Sequence, residues 1–140
     1  MLLIILLLGS ASLAQDKKDV KEADKLFKKE EYEKAMPMYR KFINMDANNI
    51  EHVWKYGSCM VMVTDDVDEA LKYLLKAEKM GKKDEEIAYF IGRAYEKQEK
   101  YELAINYYER FIDATTKEET KKLKVKKRIR GCKKAMRKRN

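Results

Sequence analysis

The chain has 140 residues, which is enough for one domain with an ordinary buried core. Hydrophobic residues make up 45% of it and charged residues 40%, with one proline and five glycines; this composition is typical of amphipathic helices and argues against a β-rich domain. The formal net charge of +8 lies at the end of the chain, because residues 117–140 hold 13 basic and 2 acidic side chains while the preceding 116 residues carry a net charge of −3.

The chain begins with an apolar segment, residues 1–14, whose sequence is MLLIILLLGSASLA. Its aliphatic run is followed by small residues that end in Ser12-Leu13-Ala14, which is typical of a secretory signal peptide cleaved after Ala14. The run is too short to span a bilayer, which takes about 20 residues as a helix. The usual Lys or Arg before the run is missing, so either the amino terminus supplies the charge or the true start lies upstream. A buried helix of the domain is the alternative to a signal peptide. The sequence therefore predicts an exported protein without a transmembrane helix.

Three segments of helical periodicity follow, at about residues 16–49, 50–83 and 84–116. In each segment, apolar residues recur at steps of three and four in two stretches of different phase, separated by a short polar hinge. The third segment is the clearest, with one stripe from Ile87 to Tyr95 and another from Tyr101 to Ile112. Each segment is predicted to form an antiparallel pair of helices whose apolar face needs a neighbouring pair to cover it.

Small residues recur at the same place in all three segments. Those in the first helices are 34 and 35 residues apart, and those in the second helices are 35 and 34 apart. One residue inserted in the middle hinge of a 34-residue repeat explains all four intervals. The six small residues are Ala23, Gly57 and Gly92 in the first helices and Ala35, Ala70 and Ala104 in the second helices.

At this spacing the chain resembles the tetratricopeptide repeat family, whose 34-residue unit is a pair of helices. The third segment shows the resemblance most fully, through Gly92, Tyr101, Ala104 and Tyr108, and the whole resemblance covers residues 17–116. It implies an all-α, right-handed solenoid of three helix hairpins. It also implies that the six small residues are structural positions, where the two helices of a hairpin approach closely.

Residues 117–140 continue the helical periodicity with a narrow apolar stripe and a basic surface. A helix of this kind is what a solenoid needs at its end, so the segment is predicted to be a capping helix. Its charge could also attract an anionic surface. Nucleic acid is not an expected partner, because the segment has no aromatic side chain on which bases could stack. The stripe consists of Val125, Ile129, Cys132 and Met136, and the basic surface of Lys126, Lys127, Arg128, Arg130, Lys133 and Lys134.

No motif in the sequence points to catalysis. The chain has no glycine-rich phosphate loop, no Gly-x-Ser-x-Gly motif and no metal-ligand spacing, and His52 is the only histidine. Cys59 and Cys132 are 73 positions apart, and each lies on an apolar helical stripe, which predicts two buried thiols rather than a disulfide. We therefore expect a protein that is not an enzyme and that needs no cofactor and no metal.

The resemblance also implies a concave groove, lined by the first helix of each hairpin, that binds a peptide or a partner helix. The residues predicted to face it are Phe27, Trp54, Ser58, Val61, Tyr89, Arg93 and Lys97. Trp54 and Tyr89 occupy equivalent positions, and large aromatic side chains often dominate binding energies; the alternative for Trp54 is packing between adjacent repeats. Some members of the family grip a terminal carboxylate with a Lys/Asn/Arg clamp. Asp24, Ser58 and Arg93 replace its asparagine here, so that activity is not expected.

The sequence thus favours a non-catalytic adaptor or scaffold of the cell envelope that holds a protein or peptide partner in its groove. Export predicts a location in the periplasm or on the periplasmic face of the outer membrane. A weaker resemblance, to the N-terminal repeats of bacterial outer-membrane proteins that also carry a β-propeller and an OmpA-like domain, implies an alternative role as one module of a larger protein. The remaining alternative is surface attachment or self-assembly through residues 117–140.

Overall fold

The computed structural model describes the backbone of residues 2–139 and the side chains of residues 15–139. Within these ranges the chain forms eight α-helices and no β-strand, which agrees with the predicted all-α fold. None of the helices, as far as they are described, combines the length and the apolar character needed to cross a membrane. The helices are α1 (Leu2–Lys28), α2 (Tyr32–Met45), α3 (Ile50–Val63), α4 (Val67–Lys79), α5 (Glu85–Lys97), α6 (Tyr101–Ala114), α7 (Lys117–Lys122) and α8 (Val125–Arg139).

The first six helices pair into the three predicted hairpins, α1 with α2, α3 with α4 and α5 with α6. The side chains of residues 1–14 lie outside the described range, so the signal peptide predicted there stays a prediction. The hairpins stack in chain order, since α2 also packs on α3 and α4 on α5. The core is continuous along this stack, as expected of a solenoid in which each hairpin covers the apolar face of its neighbour.

Left-handed residues form the hinges of the first and third hairpins. Glu30 and Glu99 have φ angles of 61° and 60°, and their backbone N–H groups donate to the carbonyl oxygens of Phe27 and Glu96 at 2.9 Å and 3.0 Å. This conformation ends a helix abruptly and costs a residue other than glycine about 1–2 kcal/mol. The middle hinge, residues 64–66, has three residues like the other two, but it starts the next helix with a cap, because the side chain of Asp66 accepts a hydrogen bond from the backbone of the third residue of α4. The residue inserted in the second repeat therefore does not lengthen this hinge, in contrast with the prediction from the sequence.

Small residues let the helices of a hairpin approach closely. A Cβ atom on Gly92 would lie 2.8 Å from two ring carbons of Tyr108, and one on Gly57 would lie 3.0 Å from Leu74 Cγ. Both distances are shorter than side-chain atoms normally adopt, so α5 lies directly against the ring on α6 and α3 directly against α4. The remaining small residues of the repeat, which are fully buried, are Ala23, Ala35, Ala70 and Ala104.

A shared carboxylate connects the first repeat to the second. Tyr39 Oη and Lys55 Nζ both donate to Asp24 Oδ1, each at 2.7 Å. Burial would raise the pKa of Asp24, but the hydrogen bonds from Lys55 and Tyr39 outweigh it and hold the pKa below its ordinary value. The ionised carboxylate of α1 therefore ties α2 and α3 to the same point.

A second shared carboxylate, at a different position of its repeat, connects the third repeat to the C-terminal helix. Tyr108 Oη donates to Glu96 Oε2, which also accepts from Arg128 Nη1 at 3.0 Å. Arg128 follows Glu96 by 32 residues, much as Lys55 follows Asp24 by 31. Helix α8 is thus attached where the next repeat of the stack would be.

The basic end of the chain forms two helices rather than the single predicted one. Helix α7 starts at Thr116, whose side chain accepts a hydrogen bond from the backbone of Glu119 at 3.2 Å. It ends at Lys122, and two residues later Lys124 adopts a left-handed conformation with φ of 55° and turns the chain into α8. Helix α8 packs on α6 through the apolar stripe predicted from the sequence, of which Val125, Ile129 and Cys132 are buried.

Candidate functional site

The structure places three of the predicted groove residues in the core. Trp54, Ser58 and Val61 are 1%, 0% and 0% exposed. Ser58 Oγ donates to the backbone oxygen of Trp54 at 2.8 Å, and Trp54 Nε1 donates to Glu51 Oε2 at 2.9 Å, so their polar atoms are satisfied within the chain. In this conformation these side chains offer no surface to a partner, in contrast with the groove that the sequence predicts.

Aromatic rings fill the inner side of the stack. The ring centroid of Phe27 lies 5.3 Å from that of Trp54, 5.4 Å from that of Tyr32 and 5.9 Å from that of Phe90. Helices α1, α3 and α5 therefore meet in one cluster, and Trp54 packs between adjacent repeats, which is the alternative that the sequence left open. The cluster fills the space between the first helices of the three hairpins.

Two cations predicted to face the groove bind groups of the chain itself. Arg93 Nη1 donates to Tyr89 Oη at 3.1 Å, and its guanidinium carbon lies 5.9 Å from the centre of the tyrosine ring. Lys97 Nζ donates to the backbone oxygen of Thr64 at 3.3 Å. Arg93 thus steadies a ring on its own helix, and Lys97 links the third repeat to the second.

A pocket of about 410 Å³ remains open beside the aromatic cluster, where the ends of α1, α5 and α6 meet α7. Two predicted groove residues, Phe27 and Tyr89, reach it, and most of its apolar side chains are buried. They form a floor of rings and one aliphatic side chain: Phe27, Tyr32, Tyr89, Phe90, Phe111 and Leu123.

Acidic side chains surround this floor. Lys122 is shared between two of them, because its Nζ atom lies 3.5 Å from Glu30 Oε1 and 3.4 Å from Glu119 Oε1. Four carboxylates against two ammonium groups give a formal charge of −2, so we call this site the acid-rimmed pocket. Its charged residues are Glu30, Glu85, Glu86, Glu119, Lys28 and Lys122.

Two of the carboxylates lack an ionic partner within the described chain. Neither Glu85 nor Glu86 forms an ion pair with a described residue, although Lys82 pairs with the neighbouring Asp84 at 2.6 Å. Glu86 is exposed, but desolvation by the surrounding structure raises its pKa, and the nearby carboxylates of Asp84 and Glu85 raise it further, against the opposing charge of Lys82. A cation placed at this end of α5 would therefore relieve an electrostatic cost.

The pocket has the chemistry to hold a basic side chain. The aliphatic part of a lysine or arginine can pack on the rings of Phe27 and Tyr89, while its charged end meets Glu85 and Glu86. Among the residues with described side chains, no group of three or more His, Cys, Asp or Glu is arranged to hold a metal ion.

The predicted basic surface divides into three sets. Arg128 faces inward and binds a carboxylate. Lys126, Lys127 and Arg130 line a cleft beside α7. Lys133 and Lys134 are exposed elsewhere on α8.

Sequence reasoning missed the acidic residues of the pocket. Glu85 and Glu86 stand at the start of α5, where the helix dipole already accounts for acidic side chains. Glu30 lies in a hinge and Glu119 in the segment read as a cap. The sequence pattern that could have indicated them is the recurrence of carboxylates at the ends of helices. Only the tertiary structure shows that these helix ends lie next to one another.

A family model matches residues 28–111, and it is described as anaphase-promoting complex, cyclosome, subunit 3. The match covers all or most of the helices α2 to α6. No curated protein matches the chain.

Solved structures of tetratricopeptide-repeat domains have the same fold. The domain of P58(IPK) matches with a TM-score of 0.74 at 14% identity over 91% of this chain, which spans 35% of that one. The domain of Arabidopsis OM64 matches with a TM-score of 0.67 at 16% identity over 86% of this chain and 96% of that one. The first such domain of Spaghetti (RPAP3), bound to the HSP90 peptide SRMEEVD, matches with a TM-score of 0.65 at 19% identity over 86% of this chain and 92% of that one. These matches establish the fold.

Proposed function

Since the chain belongs to the family of anaphase-promoting complex, cyclosome, subunit 3, which is of the tetratricopeptide type, we propose that it is a non-catalytic adaptor that binds a partner protein. Folds of this type are known for protein–protein interaction and peptide binding. The partner binds in the acid-rimmed pocket, through a segment that carries a lysine or arginine beside apolar residues.

The observation that carries this proposal is the pair of carboxylates without ionic partners at the edge of an aromatic floor. Glu85 and Glu86 remain available to a basic group, and Glu86 is partly desolvated by its surroundings. The peptide bound to Spaghetti (RPAP3) is acidic, whereas an acidic peptide in this pocket would meet like charge. We therefore expect a preference for basic segments.

A pair of labelled peptides tests the preference. One alternates lysine with leucine and the other alternates glutamine with leucine, and fluorescence anisotropy measures the dissociation constant of each. The lysine peptide should bind at least about tenfold more tightly, a difference of about 1.4 kcal/mol. Equal affinity for both peptides would show that the carboxylates do not select the partner.

Matched variants locate the binding site. Glu85→Gln with Glu86→Gln removes the two unpaired carboxylates, and Glu102→Gln with Glu109→Gln removes two exposed carboxylates of α6 that lie outside the pocket. Both double variants lose the same charge. The first should bind the lysine peptide about tenfold more weakly and the second about as well as the unchanged protein. A similar loss in both would mean that scattered carboxylates of the repeats attract the peptide and that the pocket does not bind it.

We also propose that the protein is exported and acts in the cell envelope. Cleavage after Ala14 would leave residues 15–28 of α1, a helix of the same length as α2, α3 and α6, which have 14 residues each. The remaining chain would thus begin with a helix about as long as the other helices of the repeats, which have 13 or 14 residues. N-terminal sequencing of the protein from an envelope fraction should start at Gln15; a chain that keeps Met1 would contradict export by this route.

A further inference from the structure

A second recess lies on the opposite face of α7. It has a volume of about 640 Å³ and is bordered by the end of α6, by α7 and by the start of α8, with Ile112 and the buried Thr120 among its residues. Every charged side chain that lines it is a cation. We call it the basic cleft, and its cations are Lys117, Lys121, Lys124, Lys126, Lys127 and Arg130.

The turn between α7 and α8 forms this cleft. Lys124 is left-handed, with φ of 55°, and its carbonyl oxygen accepts from the backbone of Lys127 at 2.9 Å and of Arg128 at 3.1 Å as the new helix begins. The bend sets the cations of α7 and those of α8 around one space instead of along one straight helix. Lys117, Thr120 and Lys121 of α7, three and four positions apart, face the cleft, whereas Glu119 and Lys122 face the acid-rimmed pocket.

The cations of the cleft differ from others in the same part of the chain. Lys122 pairs with Glu30 and Glu119, and Arg128 pairs with Glu96, so these cations hold the two helices to the repeats. The six cations of the cleft form no ion pair and no side-chain hydrogen bond with any described residue. Capping the stack therefore does not account for them.

Six like charges around one recess repel one another, and no carboxylate lines the recess to offset them. An anion that entered it would gain attraction from several cations at once, and the donors of Lys and Arg are well suited to phosphate oxygens. We propose that the basic cleft is a binding site for phosphate groups that carry at least two negative charges in total, as free polyphosphate or as clustered lipid headgroups. This site is independent of the pocket proposed for the peptide.

The experiment compares two triple variants of the full chain with equal loss of charge. Lys121→Gln, Lys127→Gln and Arg130→Gln removes cations that line the cleft. Lys133→Gln, Lys134→Gln and Arg137→Gln removes two lysines and one arginine that are exposed on α8 outside it. Lys, Arg and Gln have similar helix propensities, so both variants should fold, which circular dichroism checks.

Two ligands separate the possible sources of phosphate. Inorganic pyrophosphate is titrated by calorimetry, and vesicles of phosphatidylcholine with and without phosphatidylglycerol are tested by co-sedimentation. Each measurement is made at about 0.01 M and about 1 M NaCl, between which the screening length falls from about 30 Å to about 3 Å. Binding to pyrophosphate identifies free phosphate as sufficient, and binding only to the anionic vesicles identifies the lipid headgroup.

With either ligand at low salt, the triple variant of the cleft should bind at least about tenfold more weakly than the unchanged protein. The triple variant outside the cleft should lose less than about twofold in affinity. High salt should abolish the difference. An equal loss of affinity in both variants would contradict a defined site and would indicate diffuse attraction by the basic end of the chain. Failure of the unchanged protein to bind either ligand at low salt would overturn the proposal, whatever the peptide experiments show.

Discussion

At the scale of single residues, Gly92 in α5 and Gly131 in α8 have opposite surroundings. The Cβ position of Gly92 is occupied by the ring of Tyr108, whereas no atom lies within 4 Å of a Cβ on Gly131. Identical substitutions at the two positions therefore separate close helix packing from the general cost of glycine in a helix.

We expect Gly92→Ala to lower the free energy of unfolding by about 1–3 kcal/mol, because the Tyr108 ring must move. Gly131→Ala should raise it by roughly 0.5–1 kcal/mol, because alanine loses less backbone entropy in a helix. Urea denaturation of the two variants measures both changes. If Gly92→Ala were as stable as the unchanged protein, the close approach of α5 and α6 would be wrong.

Glu86 links the charge of the pocket to pH. The pKa of Glu86 is raised above the ordinary 4.5, so the folded protein disfavours its ionised form. The contribution of Glu86 to the free energy of unfolding therefore decreases as pH rises through that pKa. A bound cation favours the ionised form. The affinity for the lysine peptide should therefore increase between about pH 4 and pH 7.

Glu86→Gln tests this link by two measurements. Anisotropy titrations across the same pH range should show a weaker pH dependence, and the free energy of unfolding of the variant without peptide at neutral pH should be no lower than that of the unchanged protein. A variant that loses both affinity and stability would indicate that Glu86 supports the fold and not the binding of a cation.

The two cysteines should be unreactive in the folded protein. Cys59 and Cys132 are free and buried, and burial raises the pKa of the first thiol to about 12 and of the second to about 11. The thiolate is the reactive form, so it is scarce at neutral pH. Titration with dithionitrobenzoate should detect no thiol before denaturation and two per chain afterwards; rapid reaction of the native protein would contradict the burial of both.

At the scale of helices, the attachment of α8 depends on the carboxylate shared by Tyr108 and Arg128. The Arg128 and Glu96 side chains are only 29% and 26% exposed, so their pairing is less screened than that of a surface pair. The ion pair joins α5, in the last repeat, to α8, which follows the repeats. We therefore expect this contact to hold α8 in place.

A double-mutant cycle measures the contribution. With Arg128→Gln, Glu96→Gln and the double variant, we expect a coupling energy of about 1–2 kcal/mol, in the range of hydrogen bonds to charged groups. The exposed pair of Lys72 and Glu69, 2.8 Å apart within α4, serves as the control and should give at most about 0.5 kcal/mol. Similar coupling energies for the two pairs would show that α8 is not held through Glu96.

At the scale of the whole molecule, α8 covers the end of the stack with few apolar side chains and many cations. Val125, Ile129 and Cys132 pack against α6, where Tyr108 and Phe111 are buried. The covering of this face, and not the charge of the helix, should therefore determine stability.

Removal of residues 117–140 should lower the free energy of unfolding by roughly 3–6 kcal/mol, which corresponds to uncovering two or three large apolar side chains. The full-length variant with Lys133, Lys134 and Arg137 changed to Gln keeps the apolar stripe, and its melting temperature should stay within about 2 °C of the unchanged protein. Calorimetry compares the two. A shortened chain that melts like the full one would show that the last repeat needs no cover.

The sequence predicts the groove less well than the hairpins, and Trp54 shows why. Its position in the repeat marks it as a residue of the concave face, but whether that face is open depends on how far the stack curves. The ring of Phe27 meets that of Phe90 at 5.9 Å, although 63 residues separate them in the chain. Trp54→Ala would therefore create a cavity and cost about 3–5 kcal/mol, so it tests stability and not binding.

The sequence by itself determines the helices, the 34-residue repeat, the small residues at the close approaches and the apolar stripe of α8. These follow from periodicity within a few turns of helix, which is a local property. Only the tertiary structure decides that aromatic rings fill the space between the first helices of the hairpins, that Glu30 and Lys122 meet across the stack, and that α7 separates an acidic pocket from a basic cleft. The physical reason is that curvature sums small rotations between successive hairpins, and contacts between distant parts of the chain set each rotation.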